Sequence, residues 1–302
     1  MFEIRVPATT ANIGCGFDVF GLALDLSYSV KVKPLTDCTF SIRNRGEGEN
    51  SLPSDEKNLF FKTIRTVSRL KGFPEVGLEV EALNQIPVCR GLGSSAACIV
   101  AGVVSANVLA GDVLSTDEII YLSTQIEGHP DNVIPAIVGG FTVAMKTGDR
   151  ILYQRYPFLD DVQLVVCIPG YTLITEEMRK ILPPVYPRED VIFNLSRVAY
   201  VVGSILTRSR ENFFEALDDA IHQPFRGQKI PGFVEVRDYL RKERIGEAVI
   251  SGSGSTILLL LREKLTHSIE QKIRALFDQC GVSNLTVKNV HWVDQGVRVI
   301  QK

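Results

Sequence analysis

Apolar and polar residues change period repeatedly along this chain. Phe2 to Val6 alternates apolar and charged positions, the two-residue period of a half-buried strand, and Ser27 to Val32, Thr39 to Arg43 and Leu78 to Ala82 read as further strands. Leu59 to Leu70 carries a helical period with Asn58 placed to cap it, because an Asn side chain accepts from an orphan N–H. Ala96 to Leu109 is apolar nearly all round, which predicts a buried helix, and Ser115-Thr116-Asp117-Glu118 opens another before Ile119 to Ile126. Between these lie a polar, glycine-containing loop from Pro7 to Asp18 and a turn from Glu127 to Asn132; a strand follows at Gly139 to Ala144.

The second half repeats the mixture. Val162 to Ile168, Glu247 to Ile250, Thr256 to Leu261 and Asn289 to Val293 read as strands, and Val191 to Leu206, Asn212 to Ile221, Phe233 to Arg241 and Leu265 to Cys280 as helices. Polar and turn residues gather from Thr147 to Asp161, so a boundary is expected there, dividing the chain into 1–155 and 156–302. Strands and helices alternate without long parallel repeats, which predicts an α+β fold and not a doubly wound sheet.

Composition narrows the partners. Over 302 residues, 33 Lys and Arg against 35 Asp and Glu leave a net charge of -2, so there is no basic field for nucleic acid and a small molecule is expected. Six cysteines form no C-x-x-C pair, which fits free thiols in a reducing cytoplasm. No targeting segment and no run of roughly 18 apolar residues is read in the sequence, so no membrane is expected.

The chemistry concentrates in Pro87-Val88-Cys89-Arg90-Gly91-Leu92-Gly93-Ser94-Ser95-Ala96-Ala97, a glycine turn running into the apolar helix. Glycines let backbone N–H groups approach an anion, and a helix N-terminus with two hydroxyls favours phosphate. Gly91-x-Gly93-x-x-Ala96 satisfies the loose dinucleotide fingerprint, but Pro87 sits badly in the central strand that motif requires. A P-loop needs a Lys before its Ser or Thr, and a serine-hydrolase elbow needs Gly where Ala97 stands. What remains is a phosphate cradle with Glu127 the nearest turn-borne carboxylate, a combination of hard oxygen donors that suits magnesium. Spacing alone does not bring Glu127 to Ser95.

Pro87 to Ala97 resembles the ATP-binding motif of the GHMP kinases. Val6 to Asp18 is similar to the N-terminal motif of that family's homoserine kinases, and Gly246 to Ile257 to its C-terminal glycine-rich motif. The resemblance implies an N-terminal domain like domain 2 of ribosomal protein S5, a ferredoxin-like C-terminal domain, and an active site between them. It implies transfer of the γ-phosphoryl group of ATP to the side-chain hydroxyl of L-homoserine in threonine biosynthesis, with Mg2+ as the metal and a homodimer as the assembly.

Residue by residue, the resemblance assigns nucleotide contacts to Pro87, Arg90, Gly91, Leu92, Gly93, Ser94, Ser95 and Ala96, with Asn58 near the adenine and Ser95 and Glu127 on the metal. It puts Arg179 and Arg226 on the substrate carboxylate, Asn12 and Asp18 on its polar end, and Thr175 near the transferred phosphate. A zwitterionic substrate requires such a guanidinium fork and such acceptors. His129, Asp131 and Asn132 fall beside the acceptor hydroxyl, with Asn132 and His129 as orienting groups and Asp131 as a base or a structural acceptor. Cys15 and Cys89 depart from the family pattern beside the glycines. Competing readings are a kinase for mevalonate-type acids, which the paired arginines would also suit, and a non-catalytic ligand sensor, which would not need Ser95 and Glu127.

Overall fold

A computed structural model describes residues 1–301. Its first sheet takes strands β1 (Phe2–Ala11), β2 (Phe20–Leu35), β3 (Phe40–Gly46), β4 (Gly77–Asn84), β5 (Phe141–Thr147) and β6 (Arg150–Tyr156). The second is built from β7 (Gln163–Pro169), β8 (Gly246–Ile250), β9 (Ile257–Leu261) and β10 (Leu285–Val290), and the last strand, β11 (Arg298–Gln301), returns to the first. The first sheet runs β11-β1-β2-β4-β3, with β5 on the Phe20–Leu22 end of β2 and β6 beyond it; only β3 and β4 pair in parallel. The second runs β10-β7-β9-β8, all antiparallel.

Alternation along β9 explains how the two sheets join. Leu258 and Leu260 belong to the large core that also holds β1, β2 and the Ser94–Leu109 helix, whereas Ile257, Leu259 and Leu261 face a second core with Phe233, Val236, Ile273 and Phe277. Successive strand side chains point to opposite faces, so an unbroken apolar run is required where both faces are covered. The helices Phe233–Lys242 and His267–Gln279 cover one face, each with a narrow apolar stripe. The Ser94–Leu109 helix has no polar face because it is buried nearly throughout its length.

Several expectations need correction. Pro7 to Ala11 is not loop but the continuation of β1, and the register shift between Pro7 and Ala8 accommodates a proline without a ladder N–H. The polar run from Thr147 to Asp161 contains β6, which is half exposed and so lacks an apolar signature. The helix read over Asn212 to Ile221 is only Phe213–Ala216, because Asp219 then accepts from the backbone N–H groups of Ile221, His222 and Gln223 and turns the chain. Val133–Val138, Thr175–Lys180 and Gln223–Arg226 are short helices that the periodicity did not show. Arg188–Thr207 is the one helix among the described residues long and apolar enough to cross a membrane by length and composition. Its Val201, Ser204 and Ile205 are nevertheless packed inside the fold.

Candidate active site

Five connections converge where the two sheets meet: the loop after β1, the turn before Ser94, the turn at 128–132, the segment leading to Thr175, and the β8–β9 loop. Their convergence is held by hydrogen bonds across long sequence distances. Gly252 N donates to Ala11 O at 3.1 Å and Thr256 N to Arg90 O at 3.2 Å. The Ser251 hydroxyl lies 2.6 Å from Gly91 O and 2.8 Å from the Thr10 hydroxyl, all at the buried base of the loops. The cleft they enclose has a volume of about 670 Å³.

The glycines are required by this clasp. Gly91 and Gly93 both hold positive φ, at 76° and 70°. A Cβ on Gly91 would stand 2.2 Å from Ser251 O, and one on Gly93 would stand 2.0 Å from the Thr9 hydroxyl. Tight packing of protein against the turn therefore demands glycine, in addition to any approach of an anion. Gly93 is also the N-cap of the following helix, with no side-chain cap and no acidic residue in the first turn. Ser94 and Ser95 line the cleft and leave the helix's first N–H groups without a side-chain partner, the arrangement of an anion site.

Ser95 meets Glu127. Its hydroxyl donates to Glu127 Oε2 at 2.8 Å across 32 residues. Burial pushes the Glu127 carboxyl above its ordinary range, against the opposing bond from Ser95. A hydroxyl and a carboxylate this close, both facing the cleft, form a donor pair for a hard cation.

Four residues further on, the turn is built on Asp131. Its Oδ1 accepts from Asn132 N at 2.9 Å and lies 2.7 Å from His129 Nδ1. Burial pulls the His129 imidazolium down, but the bond and charge of Asp131, together with Glu127, outweigh it and raise the pKa. Asn132 is fixed from the other side, its Oδ1 accepting the Thr9 hydroxyl at 2.8 Å. Thr175 opens the Thr175–Lys180 helix, with its hydroxyl 3.0 Å from that of Ser253 in the β8–β9 loop.

The guanidiniums lie at the far end. Arg226 is 2% exposed, donates to Met178 O and Gly252 O at 3.1 Å each, and has no carboxylate partner among the described residues. Burial lowers its pKa to about 10. A buried cation satisfied only by carbonyls leaves a strong anion site. Arg179, in contrast, is engaged: its two terminal nitrogens reach Asp18 Oδ2 and Oδ1 at 2.9 and 2.7 Å. Both guanidiniums approach the Phe17 ring, at 5.1 Å for Arg226 and 5.8 Å for Arg179. Asn12, at φ 72°, shapes the loop beneath them by donating to Gly252 O and accepting from Asp18 N.

Thus Asn12, Asp18, Asn58, Arg90, Gly91, Gly93, Ser94, Ser95, Glu127, His129, Asp131, Asn132, Thr175, Arg179 and Arg226 all line one cleft. Leu92 and Ala96 do not: both are buried in the core, and Pro87 stands outside the lining as well. Any role for these three runs through the backbone. Asn58 lines the cleft but its side chain is engaged, accepting from Phe60 N at 3.0 Å as a helix cap and donating to Pro53 O at 2.7 Å. Motif reading missed the apolar end of the cleft, formed by Tyr28, Leu52, Pro53, Val88 and Cys98 with Lys57 and Lys62 at its edge. These residues carry no local signature, since they come from a strand, two loops and a helix flank. Ser253 was not singled out either, although it lies within the glycine-rich segment Gly246 to Ile257.

Residues 58–140 match the model of the GHMP kinases N terminal domain. The chain is 37% identical to a homoserine kinase of Moorella thermoacetica over 98% of its own length and 99% of that protein. It belongs to the GHMP kinase family, among its homoserine kinases. A homoserine kinase of Petrotoga mobilis is 38% identical over 92% of the chain and 91% of that relative. The crystal structure of homoserine kinase from Cytophaga hutchinsonii superposes with a TM-score of 0.83 at 28% identity, covering 99% of this chain and 97% of that one. A mevalonate kinase from Methanococcus jannaschii, at 14% identity and a TM-score of 0.68 over 96% and 98%, shares the fold. The two-domain GHMP kinase architecture thus stands, and the cleft lies between its sheets.

Proposed function

We propose that this GHMP kinase transfers the γ-phosphoryl group of ATP to the side-chain hydroxyl of L-homoserine, giving O-phospho-L-homoserine and ADP. The observation that carries the reading is that one cleft holds an uncapped helix N-terminus, the Ser95–Glu127 pair and the carbonyl-bound guanidinium of Arg226. Phosphate, metal and amino-acid carboxylate each find a matching group. The apolar end at Tyr28, Pro53 and Val88 suits a nucleobase.

Ser95 and Glu127 would hold Mg2+, which supplies charge neutralisation across the phosphates when bound. Two protein oxygens are few, so nucleotide and water would complete the shell. In this reading the homoserine carboxylate lies on Arg226 and Arg179, and its ammonium on Asp18 and the loop shaped by Asn12. That leaves the hydroxyl oxygen directed at the γ-phosphorus near Asn132, His129 and Thr175. As the new P–O bond forms, the bond to the bridging oxygen breaks with its electron pair going to ADP, and the hydroxyl proton passes to an oxygen of the transferred phosphoryl group and from there to solvent. A loose transition state asks little of a base. Asp131 already holds the turn through Asn132 N and His129, which supports a structural acceptor over proton abstraction. We place the main domain boundary near residue 156, with β11 returning to the first sheet beside β1, and the enzyme in the cytoplasm, a location supported by six unpaired cysteines.

The test is ADP release by purified protein with MgATP. Release on addition of L-homoserine and not of mevalonate is expected. Release independent of homoserine, or none with either acid, would overturn the assignment.

A further inference from the structure

His222 is a titratable group close to Arg226 that no step of the transfer uses. It is fully buried, with its Nε2 at 2.9 Å from Gly14 O. A carbonyl only accepts, so Nε2 carries the proton. Burial holds the imidazole pKa below its ordinary value, with Asp219 opposing the effect and Arg226 adding to it, so the ring is neutral at neutral pH. Its Nδ1 then keeps a lone pair with no partner among the described residues. The ring itself stacks on Phe17, with centroids 5.2 Å apart and planes 24° from parallel.

That stack joins two loops from opposite halves of the chain, and their backbones are already pinned without it. A Cβ on Gly14 would stand 1.9 Å from Leu217 O. Asn194 donates to Cys15 O at 2.8 Å and accepts from Ala220 N at 3.1 Å, bridging the loop that carries Phe17 and the turn that carries His222. Gln223 Oε1 accepts from Ile250 N and His222 O from Arg226 N, both at 2.9 Å, which fixes the start of the Gln223–Arg226 helix. What the imidazole adds is a flat wall for the half-buried Phe17 ring, whose own rotation the backbone does not set.

We propose that His222 is a positioning residue for the acceptor's carboxylate: its ring fixes the plane of Phe17, and Phe17 holds the Arg226 guanidinium in place. The proposal rests on the reading that Arg226 takes that carboxylate. The Arg226 guanidinium carbon lies 5.1 Å from the Phe17 centroid, within reach of the ring's negative face. Its bonds to Met178 O and Gly252 O engage Nε and Nη1, so Nη2 has no partner among the described residues and the ring is what limits its swing. Neutrality suits the role. An imidazolium would set a second charge beside Arg226, whereas a neutral ring supplies an aromatic face without one.

Two variants separate the ring from its N–H. His222→Gln keeps an amide donor for Gly14 O and loses the ring; His222→Phe keeps the stack and leaves Gly14 O unpaired. The KM for homoserine is expected to rise about 10-fold in His222→Gln, the scale of a desolvated cation–π contact, with smaller changes in kcat and in the KM for ATP. His222→Phe should stay near the wild-type KM although its Tm falls further, since it buries an unpaired carbonyl. Phe17→Leu should match His222→Gln, and the double variant should be no worse, because both act through one ring. Without substrate, the Arg226 Nε–H followed by NMR should exchange with water faster in His222→Gln and as in wild type in His222→Phe. A KM that follows Tm across the variants, or an Nε–H unchanged in His222→Gln, would overturn the proposal. Wild-type protein that does not phosphorylate homoserine would instead overturn the kinase reading, and the Nε–H exchange then decides by itself whether His222 holds Arg226.

Discussion

Arg179 grips Asp18 with both terminal nitrogens, at 2.7 and 2.9 Å, while Arg226 beside it faces only carbonyls. The two guanidiniums are therefore not equivalent before substrate arrives. Arg226 is free to take a carboxylate, whereas Arg179 already has one, and an incoming ammonium would share Asp18 with it. Asp18→Asn keeps the shape of the loop and removes the charge. It is expected to raise the KM for homoserine roughly 10- to 100-fold, the worth of a charge-assisted hydrogen bond, and to leave the KM for ATP unchanged. Steady-state kinetics with each substrate varied in turn checks this. Equal effects on both would remove Asp18 from the acceptor site.

Burial outweighs the Ser95 hydrogen bond at Glu127 and raises its carboxyl pKa above the ordinary value. Its folded pKa is raised, so its contribution to stability is present at low pH and is lost as pH rises through that value. Glu127→Gln should thus leave Tm at neutral pH unchanged or higher. Turnover should fall on the order of 100-fold or more, because the cation loses its carboxylate. Thermal melts and a magnesium titration of activity, measured together, separate this from simple unfolding.

His129 should titrate above its ordinary value because Asp131 pairs with it. Replacing Asp131 with Asn leaves Glu127 as the remaining charge that opposes burial and is expected to move the imidazole pKa downward, read from its C–H proton shifts by NMR. The stability that the pair provides is present at low pH and is lost as pH rises through the folded pKa. Where protonated His129 orients the acceptor, kcat/KM falls as pH rises through the same point, and Asp131→Asn shifts that limb to lower pH. A limb that stays in place would assign it to another group.

Gly93→Ala places a methyl group 2.0 Å from the Thr9 hydroxyl at a residue held at φ 70°. A cost of about 1–3 kcal/mol in chemical denaturation is expected. Thr9 also anchors Asn132, so the displaced hydroxyl should lower kcat as well. Thr9→Ala removes the anchor without the clash and should lower kcat with a smaller loss of stability.

Asn58 separates a cap from a nucleotide contact. Asn58→Asp retains the oxygen that accepts from Phe60 N and should preserve stability, whereas Asn58→Ala should cost ~1 kcal/mol. The KM for ATP should follow stability only weakly in both variants. A large rise in KM for Asn58→Asp alone would show that the base reads the amide.

The helix at Leu59–Lys71, the buried helix at Ser94–Leu109 and the strands β4, β7 and β9 follow from the sequence, because each has a clean period or an unbroken apolar run. The short helices at Val133–Val138 and Gln223–Arg226 do not, since four to six residues are too few for a period to show. Strand β6 is hidden by its exposure, and β11 has no visible partner until the chain end returns to β1.

By itself, the sequence determined the glycine turn proposed to cradle phosphate and the polar groups of the candidate site, since local backbone chemistry and residue type are encoded within a dozen neighbouring positions. Only the tertiary structure decided which of those groups meet. Ser95 reaches Glu127 across 32 residues and Asp18 reaches Arg179 across 161, and no spacing rule specifies such contacts. It also gave the glycines a further reason, the backbone of Ser251 and the hydroxyl of Thr9 lying where a Cβ would stand. Long-range packing sets these distances, because two cores sharing the β7–β9 sheet fix how the loops of one half stand over the other.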